Sequence, residues 1–154
     1  YFYFRTMGKV IGIAGKEKPG SDMVVYASAK ASIEKGIGDD YRGIKKDDRQ
    51  VSIMSLESWD EVCAELNRKL HWTKREVNVL VEGVDLVDSV GDILKIGEFY
   101  IEITAELKPG NKMDTVSAGL KNALTPKWRG GVTGKVLSDG MIHEGDTVTL
   151  MERA

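Results

Sequence analysis

The sequence predicts a mostly β protein, a closed or nearly closed β-barrel with two or more helical insertions. Many short apolar segments rich in β-branched residues are separated by glycine turns, which is typical of strands. Two other stretches repeat apolar residues at helical spacing. The length of 154 residues, with 42% hydrophobic and 30% charged residues, suits a single globular domain with one core. Strands of this number and length are expected to close on themselves.

The strand predictions follow the runs of apolar residues between turn signals. Four of the first six residues are aromatic, and these six precede Met7, which offers a natural first residue. We expect residues 1–6 to be a remnant or a flexible N-terminus, and we predict the domain over residues 7–154. The predicted strands are 9–14, 23–29, 50–54, 77–81, 92–96, 99–106, 132–137 and 146–151.

Two helices are predicted near residues 56–70 and 112–124. Ser58 and Glu61 form a capping-box pattern at the start of the first helix. Cys63 shares an apolar face with Trp59, so we expect this cysteine to be buried and unreactive. The second helix is expected to end before the proline at position 126.

Composition excludes several classes of protein. A net charge of -2 without a basic motif argues against nucleic acid as a partner. No apolar run reaches the roughly 20 residues that span a membrane, and a single cysteine leaves no internal disulfide and no multi-cysteine metal site. We expect a cytoplasmic protein. His71 and His143 lack a nucleophile or metal ligand at a known spacing, so structural or solvated roles are expected.

The tripeptide Arg129-Gly130-Gly131 is the strongest local signal for binding. Two glycines allow close approach of the backbone to a ligand, and a guanidinium suits phosphate or carboxylate. The alternative is a tight turn into a strand with a solvated arginine.

Two further segments carry candidate ligand-binding residues. The segment 74–78 leads into the predicted strand that runs to Val81, and its Arg75 and Asn78 offer a second cation and a hydrogen-bonding amide. The alternative is a charged strand edge. Asp40 and Arg42 lie in the glycine-bracketed loop 36–43, which lacks the features of a phosphate loop. The alternative there is an ordered surface loop with its own ion pair.

Eight segments in order resemble the MOSC domain, the module named after the C-terminal domain of molybdenum cofactor sulfurase. The resemblance implies a β-barrel like that of pyruvate kinase, with a cleft for an anionic ligand linked to sulfur or molybdenum. The segments are 8–13, 36–43, 49–57, 75–86, 91–97, 107–114, 128–132 and 140–146.

The resemblance also implies a ligand, its partners and a set of binding residues. The expected ligand is small and anionic, with the molybdenum cofactor (molybdopterin) suspected, and the expected partner is a cysteine desulfurase or a molybdoenzyme. Pyridoxal phosphate, used by desulfurases attached to larger relatives, would act in that separate protein. The expected ligand-binding residues are Asp40, Arg42, Arg75, Asn78, Lys108, Gly110, Asn111, Arg129, Gly130 and Gly131.

Gly110 departs from the family pattern, in which a cysteine usually follows the proline equivalent to Pro109. Either sulfur chemistry is lost, or Cys63 serves instead, or the amides of Gly110 and Asn111 bind an anion. A sulfur carrier, a non-catalytic module for a phosphorylated ligand and an interaction module therefore stay open. We expect Arg75, Arg129 and the loop 109–112 to converge on one anion-binding cleft.

Overall fold

A computed structural model of the chain describes the backbone of residues 2–153 and the side chains of residues 7–152. The strands are β1 Phe2–Lys16, β2 Met23–Tyr26, β3 Ser28–Ser32, β4 Gly36–Ile37, β5 Val51–Ser55, β6 Val79–Glu82, β7 Ile93–Ile96, β8 Phe99–Glu106, β9 Val132–Val136, β10 Gly140–His143 and β11 Thr147–Arg153. The helices are α1 Leu56–Leu66, α2 Met113–Val116 and α3 Leu120–Leu124. Single 3-10 turns cover Tyr41–Lys45, Trp72–Arg75 and Pro126–Trp128.

Seven strands close into a barrel in the order β11-β7-β8-β9-β5-β6-β1, because β1 also pairs with β11. The pair of β5 and β6 is parallel, since α1 lies on the connection between them, and the other pairs are antiparallel. Strand β2 adds to β1 outside the ring, and β10, β3 and β4 form a small second sheet. The barrel prediction is confirmed.

The barrel interior is filled by inward-facing branched and aromatic side chains. Ile13, Ile53, Leu94 and Phe99 are fully buried there. Burying each such side chain contributes roughly 1.5–3 kcal/mol, so this layer drives closure. A second apolar cluster, including Trp59, lies between the barrel wall and α1–α3. None of the described helices is long and apolar enough to span a membrane.

The helix predictions need three corrections. Ser55, not Ser58, caps α1: its hydroxyl accepts from the Ser58 amide at 3.1 Å, which makes Ser58 an interior residue. Helix α1 ends at Leu66 because Asn67 adopts a left-handed conformation with φ 51°. The second predicted helix divides into α2 and α3, because Gly119 between them has φ 85°.

The bounds of two strands and the burial of Cys63 also differ from the predictions. The predicted strand 23–29 divides into β2 and β3, and the backbone of residues 2–6, outside the predicted domain, extends β1 alongside β11. Cys63 is half-buried rather than buried, with its sulfur 3.9 Å from the Leu70 carbonyl oxygen. Its prediction as a core residue is therefore only partly met.

Candidate functional site

Asn78 lies just before β6 and ties three parts of the structure together. Its Oδ1 accepts from the Ser52 amide of β5 at 3.1 Å. Its Nδ2 donates to the Ala14 carbonyl of β1 at 3.0 Å and to Oδ2 of Asp40 at 2.9 Å. The amide is buried with its hydrogen-bonding groups satisfied, so Asn78 orients the barrel edge on which the cleft described below is built.

Asp40 is the buried anion of this edge. It accepts hydrogen bonds from the Lys16 amide and from the amide, Nε and Nη2 of Arg42. Burial raises the pKa of Asp40, but the hydrogen bonds from Arg42 and from the Lys16 amide outweigh burial and lower it. Arg42 also donates to the Glu76 carbonyl at 2.9 Å. The loop therefore holds its own ion pair, and the pair is part of the scaffold.

Arg75 ends the turn before β6 and is 7% exposed. Its Nε donates to the Gly130 carbonyl at 3.1 Å and its Nη2 to the Leu107 carbonyl at 2.8 Å. Among the described side chains, no carboxylate pairs with this guanidinium. Burial, and then the charge of Arg49, lowers the pKa of Arg75 to about 10. Arg75 is thus a buried cation with no ion-pair partner among the described side chains, although the charge of nearby Glu76 opposes the lowering of its pKa.

We define the Arg75 cleft as the cavity of about 410 Å³ around this guanidinium, lined in part by Lys45, Asp47, Arg49 and Asn78. Lys45 and Arg49 are exposed and carry no ion pair among the described residues. Asp47 is a nearby carboxylate, and among the described residues its side chain accepts a hydrogen bond from the Arg49 backbone amide alone. Three cations against one unpaired carboxylate make the cleft electropositive.

Glu76 also lines the Arg75 cleft, and its charge acts on Arg75, but both of its carboxylate oxygens are already paired. Its two carboxylate oxygens accept from Lys16 at 2.7 Å and from Lys112 at 2.9 Å. Burial raises the pKa of Glu76, but hydrogen bonds from Lys16 and Lys112 outweigh it and lower the pKa. Glu76 is thereby balanced by two ammonium groups.

The loop 107–112 borders the same region without lining the cleft beyond Leu107. Gly110 is exposed, its φ lies outside the left-handed region, and a Cβ built there meets no atom within 4 Å. A side chain is therefore permitted at the position of the missing cysteine. Lys108 is exposed and has no ion-pair partner among the described residues, whereas the Asn111 side chain accepts from Lys121 at 2.6 Å.

Arg129 does not join Arg75, and the prediction of one shared cleft is wrong. Its Nε and Nη2 donate to Glu61 at 3.2 and 3.0 Å, and its Nη1 donates to Glu65 at 2.9 Å and to the Ala123 carbonyl at 3.1 Å. Burial lowers the pKa of Arg129, but these carboxylates outweigh burial and raise it. Four hydrogen bonds and two carboxylates leave little of this guanidinium for a ligand.

The side chain of Arg129 lines a different cavity, which we call the Arg129 cleft. This cavity measures about 390 Å³ and shares no lining residue with the Arg75 cleft. It lies against the start of α1 and the segment after β6. Its lining residues are Ser55, Glu57, Ser58, Glu61, Gly83, Val84, Asp85, Leu86, Val87, Lys127, Trp128 and Arg129.

Gly130 and Gly131 allow the backbone to pass close to other backbone segments of the protein, rather than close to a ligand. A Cβ at Gly130 would collide with the Leu107 carbonyl oxygen and come within 3.0 Å of Arg75 Nη2. A Cβ at Gly131, where φ is 97°, would collide with the Ile53 carbonyl oxygen. These glycines let the segment pass over β5 and offer the Gly130 carbonyl to Arg75.

Sequence reasoning missed Lys45 and Arg49 as members of the cleft. Both lie in a charged, exposed stretch that resembles an ordinary solvated loop, and only the proximity of Arg75 distinguishes them. The described residues hold no group of three or more His, Cys, Asp or Glu side chains arranged for a metal ion. His143 is exposed beside Asp146, with Nδ1 and the carboxylate oxygen 3.5 Å apart.

Comparison with known proteins supports the fold first. The structure matches the YuaD protein of Bacillus subtilis with a TM-score of 0.80 and 16% identity over 100% of both chains. It matches YiiM of Geobacillus stearothermophilus with a TM-score of 0.74 and 18% identity, covering 96% of this chain and 76% of that one. It matches YiiM of Escherichia coli with a TM-score of 0.71 and 15% identity, covering 95% of this chain and 71% of that one.

Sequence comparison identifies the family. No curated protein sequence is significantly similar to the chain. The family model described as the MOSC domain matches residues 40–149, which include Asp40, Arg75 and Gly110. The barrel, the order of its segments and this match agree, and the chain belongs to the MOSC domain family.

Proposed function

We propose that the protein binds a small phosphorylated or otherwise anionic ligand in the Arg75 cleft, with the molybdenum cofactor as the leading candidate. The observation that carries the proposal is the buried Arg75 guanidinium, which donates to two carbonyls and has no carboxylate partner among the described side chains. Burying an unpaired charge is unfavourable unless a counter-ion is supplied. A ligand anion would supply it.

The neighbouring cations extend this argument from one contact to several. Arg49 and Lys45 are exposed at the same cleft and free of ion pairs among the described residues, so both are available to oxygens of the ligand. Each charged hydrogen bond would contribute about 1.5–3 kcal/mol. A cavity of about 410 Å³ falls in the range of small-molecule sites.

The residues present fit part of the molybdenum cofactor. Arg75, Arg49 and Lys45 would hold its phosphate, which the guanidinium fork suits. When bound, the cofactor supplies a redox-active metal. Gly110 offers no thiolate to that metal, so the protein would hold the cofactor through its anionic groups alone.

We propose binding rather than sulfur transfer by this chain. A sulfur carrier needs a thiolate at the site, and the single cysteine, Cys63, lies on α1 and does not line the Arg75 cleft. The proposed partner is a molybdoenzyme or a cysteine desulfurase, and pyridoxal phosphate would reside in that protein. A cytoplasmic location is also proposed, because a single cysteine fits a reducing compartment.

The first test measures phosphate affinity by calorimetry with a phosphate monoester as the probe. Arg49→Gln should weaken binding by roughly tenfold or more, because one charged hydrogen bond is lost, at about 1.4 kcal/mol per decade. The matched control is Arg68→Gln, since Arg68 is also exposed, free of ion pairs among the described residues and outside the cleft. Equal affinities in the two variants would contradict the proposal.

The second test restores the thiol. Gly110→Cys should fold normally, within about 0.5 kcal/mol of the parent, because a side chain there meets open space. The new thiol should react with a thiol reagent faster than Cys63, and a bound phosphate ligand should slow that reaction. Labelling that is indifferent to saturating ligand would separate position 110 from the binding site.

A further inference from the structure

The Arg129 cleft has a chemistry opposite to that of the Arg75 cleft. Its one buried cation is already neutralised by Glu61 and Glu65, at 3.0 and 2.9 Å. Glu57 and Asp85 add two more carboxylates to the lining, against a single additional cation, Lys127. The lining therefore holds three carboxylates and two cations, and Glu65, which does not line the cleft, also pairs with Arg129, so the cleft favours a positively charged ligand.

Three of these carboxylates keep a free oxygen. Glu57 uses Oε2 to accept the Gly83 amide at 2.8 Å, and Asp85 uses Oδ1 to accept the Val87 amide at 3.0 Å. Glu61 uses Oε2 for Arg129. Among the described residues nothing donates to the other oxygen of each group. The three side chains are therefore oriented by the protein and still able to accept from a ligand.

Beside two serines, the remaining wall of the Arg129 cleft has an apolar part that includes an aromatic ring. Val84 and Leu86 are 4% and 5% exposed, and the half-buried Trp128 packs against the barrel core while lining the cavity. An aromatic face beside carboxylates suits a flat ring that carries a positive charge, since the ring stacks and the charge finds an acceptor.

The backbone that presents Trp128 is strained. Lys127 and Trp128 have φ values of 54° and 57°, so two consecutive non-glycine residues adopt the left-handed conformation. A non-glycine residue is strained in this conformation, and strain of this kind clusters where a side chain is held for function. Here it holds the indole at the cavity.

We propose that the Arg129 cleft is a second binding site, for a planar aromatic ligand that bears an amidinium or ammonium group. The ring lies between Trp128 and the wall formed by Val84 and Leu86, and the cation binds the free oxygens of Asp85 and Glu57. This site is independent of the anion-binding role of the Arg75 cleft, because the two cavities share no lining residue.

Benzamidine and its neutral isostere benzamide are the probes that test the proposal on the whole chain. We expect benzamidine to bind with a dissociation constant on the order of 1 mM and to shift the indole N–H resonance of Trp128. Benzamide should bind at least roughly fivefold more weakly, because it is neutral and offers no positive charge to the carboxylates. Equal binding of both probes, or an unmoved Trp128 resonance, would overturn the proposal.

Asp85→Asn provides the matched variant. The asparagine keeps the oxygen that accepts from the Val87 amide, so the turn is preserved while the charge is lost. Benzamidine affinity should fall about fivefold to tenfold, and benzamide affinity should not change. Asp88→Asn, an exposed site outside the cleft, should change neither, and Arg49→Gln should leave benzamidine binding intact. An unaltered benzamidine affinity in Asp85→Asn would refute the site.

Discussion

Arg75 and Arg129 are both 7% exposed and both adjoin the Gly130 segment, yet their electrostatic surroundings are opposite. Arg75 donates to two carbonyls, and its pKa is lowered to about 10. Arg129 lies between two glutamates, and its pKa is raised. The Arg75 guanidinium has no carboxylate partner among the described side chains, whereas the Arg129 guanidinium links α1 to the turn before β9.

The difference shows that burial alone does not identify a binding arginine. What separates the two is the distribution of carboxylates around each side chain. Glu61 and Glu65 follow each other by one helical turn on α1 and face Arg129 together, whereas the carboxylates nearest Arg75 are engaged by other cations or limited to Asp47.

Asp40→Asn should cause the largest loss, about 3 kcal/mol in the free energy of unfolding at neutral pH. The buried carboxylate accepts from Arg42, Asn78 and the Lys16 amide, and its removal leaves Arg42 without its partner. Urea denaturation measures the loss. Asp39→Asn is the control, because Asp39 is exposed. A loss below about 1 kcal/mol would mean that the Arg75 cleft does not depend on this scaffold.

Arg129→Met should lower the free energy of unfolding by about 2 kcal/mol, and Arg75→Met by about half as much. Removing Arg129 breaks charged hydrogen bonds to two glutamates. Removing Arg75 also breaks hydrogen bonds, but it relieves the cost of burying a charge that has no carboxylate partner among the described side chains, so the net loss is smaller. Phosphate affinity should respond in the opposite order, with loss in Arg75→Met and none in Arg129→Met. Urea denaturation measures the stability of both variants, and calorimetry measures their phosphate affinity. A reversed order of the two variants in either measurement would contradict the different roles assigned to Arg75 and Arg129.

Stability should fall as the pH drops below about 4. The pKa values of Asp40 and Glu76 are lowered in the folded state, so each contributes stability that is present above the unfolded values near 3.9 and 4.3 and lost as the pH falls through the folded values. Denaturation at several pH values checks this. Asp40→Asn should make the acid slope shallower, and an unchanged slope would assign the acid loss to other carboxylates.

Lys127→Gly should raise the free energy of unfolding by about 1 kcal/mol, the smallest effect. Glycine adopts φ 54° without the strain that a lysine side chain meets there. Thermal denaturation measures the gain. Lys121→Gly, within α3, should instead destabilise by about 1 kcal/mol. Destabilisation in both variants would show that the left-handed turn at Lys127 costs little.

The barrel and the strands that form it could be predicted from local sequence patterns, because each strand carries its own apolar periodicity and turn residues. The boundaries of the helices were harder to predict. Ser55 and Ser58 are both plausible caps by spacing, and the better hydrogen bond formed at Ser55. The family resemblance led us to expect that Arg75, Arg129 and the loop 109–112 would converge. The structure instead places Arg42 and Asn78 beside Arg75, with Asp40 hydrogen-bonded to Asn78.

The strand pattern of the barrel, the glycine at position 110 and the cationic side chains close together along the chain can all be seen in the sequence alone. Which arginine is neutralised depends on the tertiary fold, because Glu61 lies 68 residues before Arg129 and Glu65 lies 64 before it. Likewise, the glycines after Arg129 are required by the carbonyls of Leu107 and Ile53, which come from other strands and loops. Coulomb and packing energies depend on distance in space, and that distance is set by the barrel's closure rather than by the local pattern.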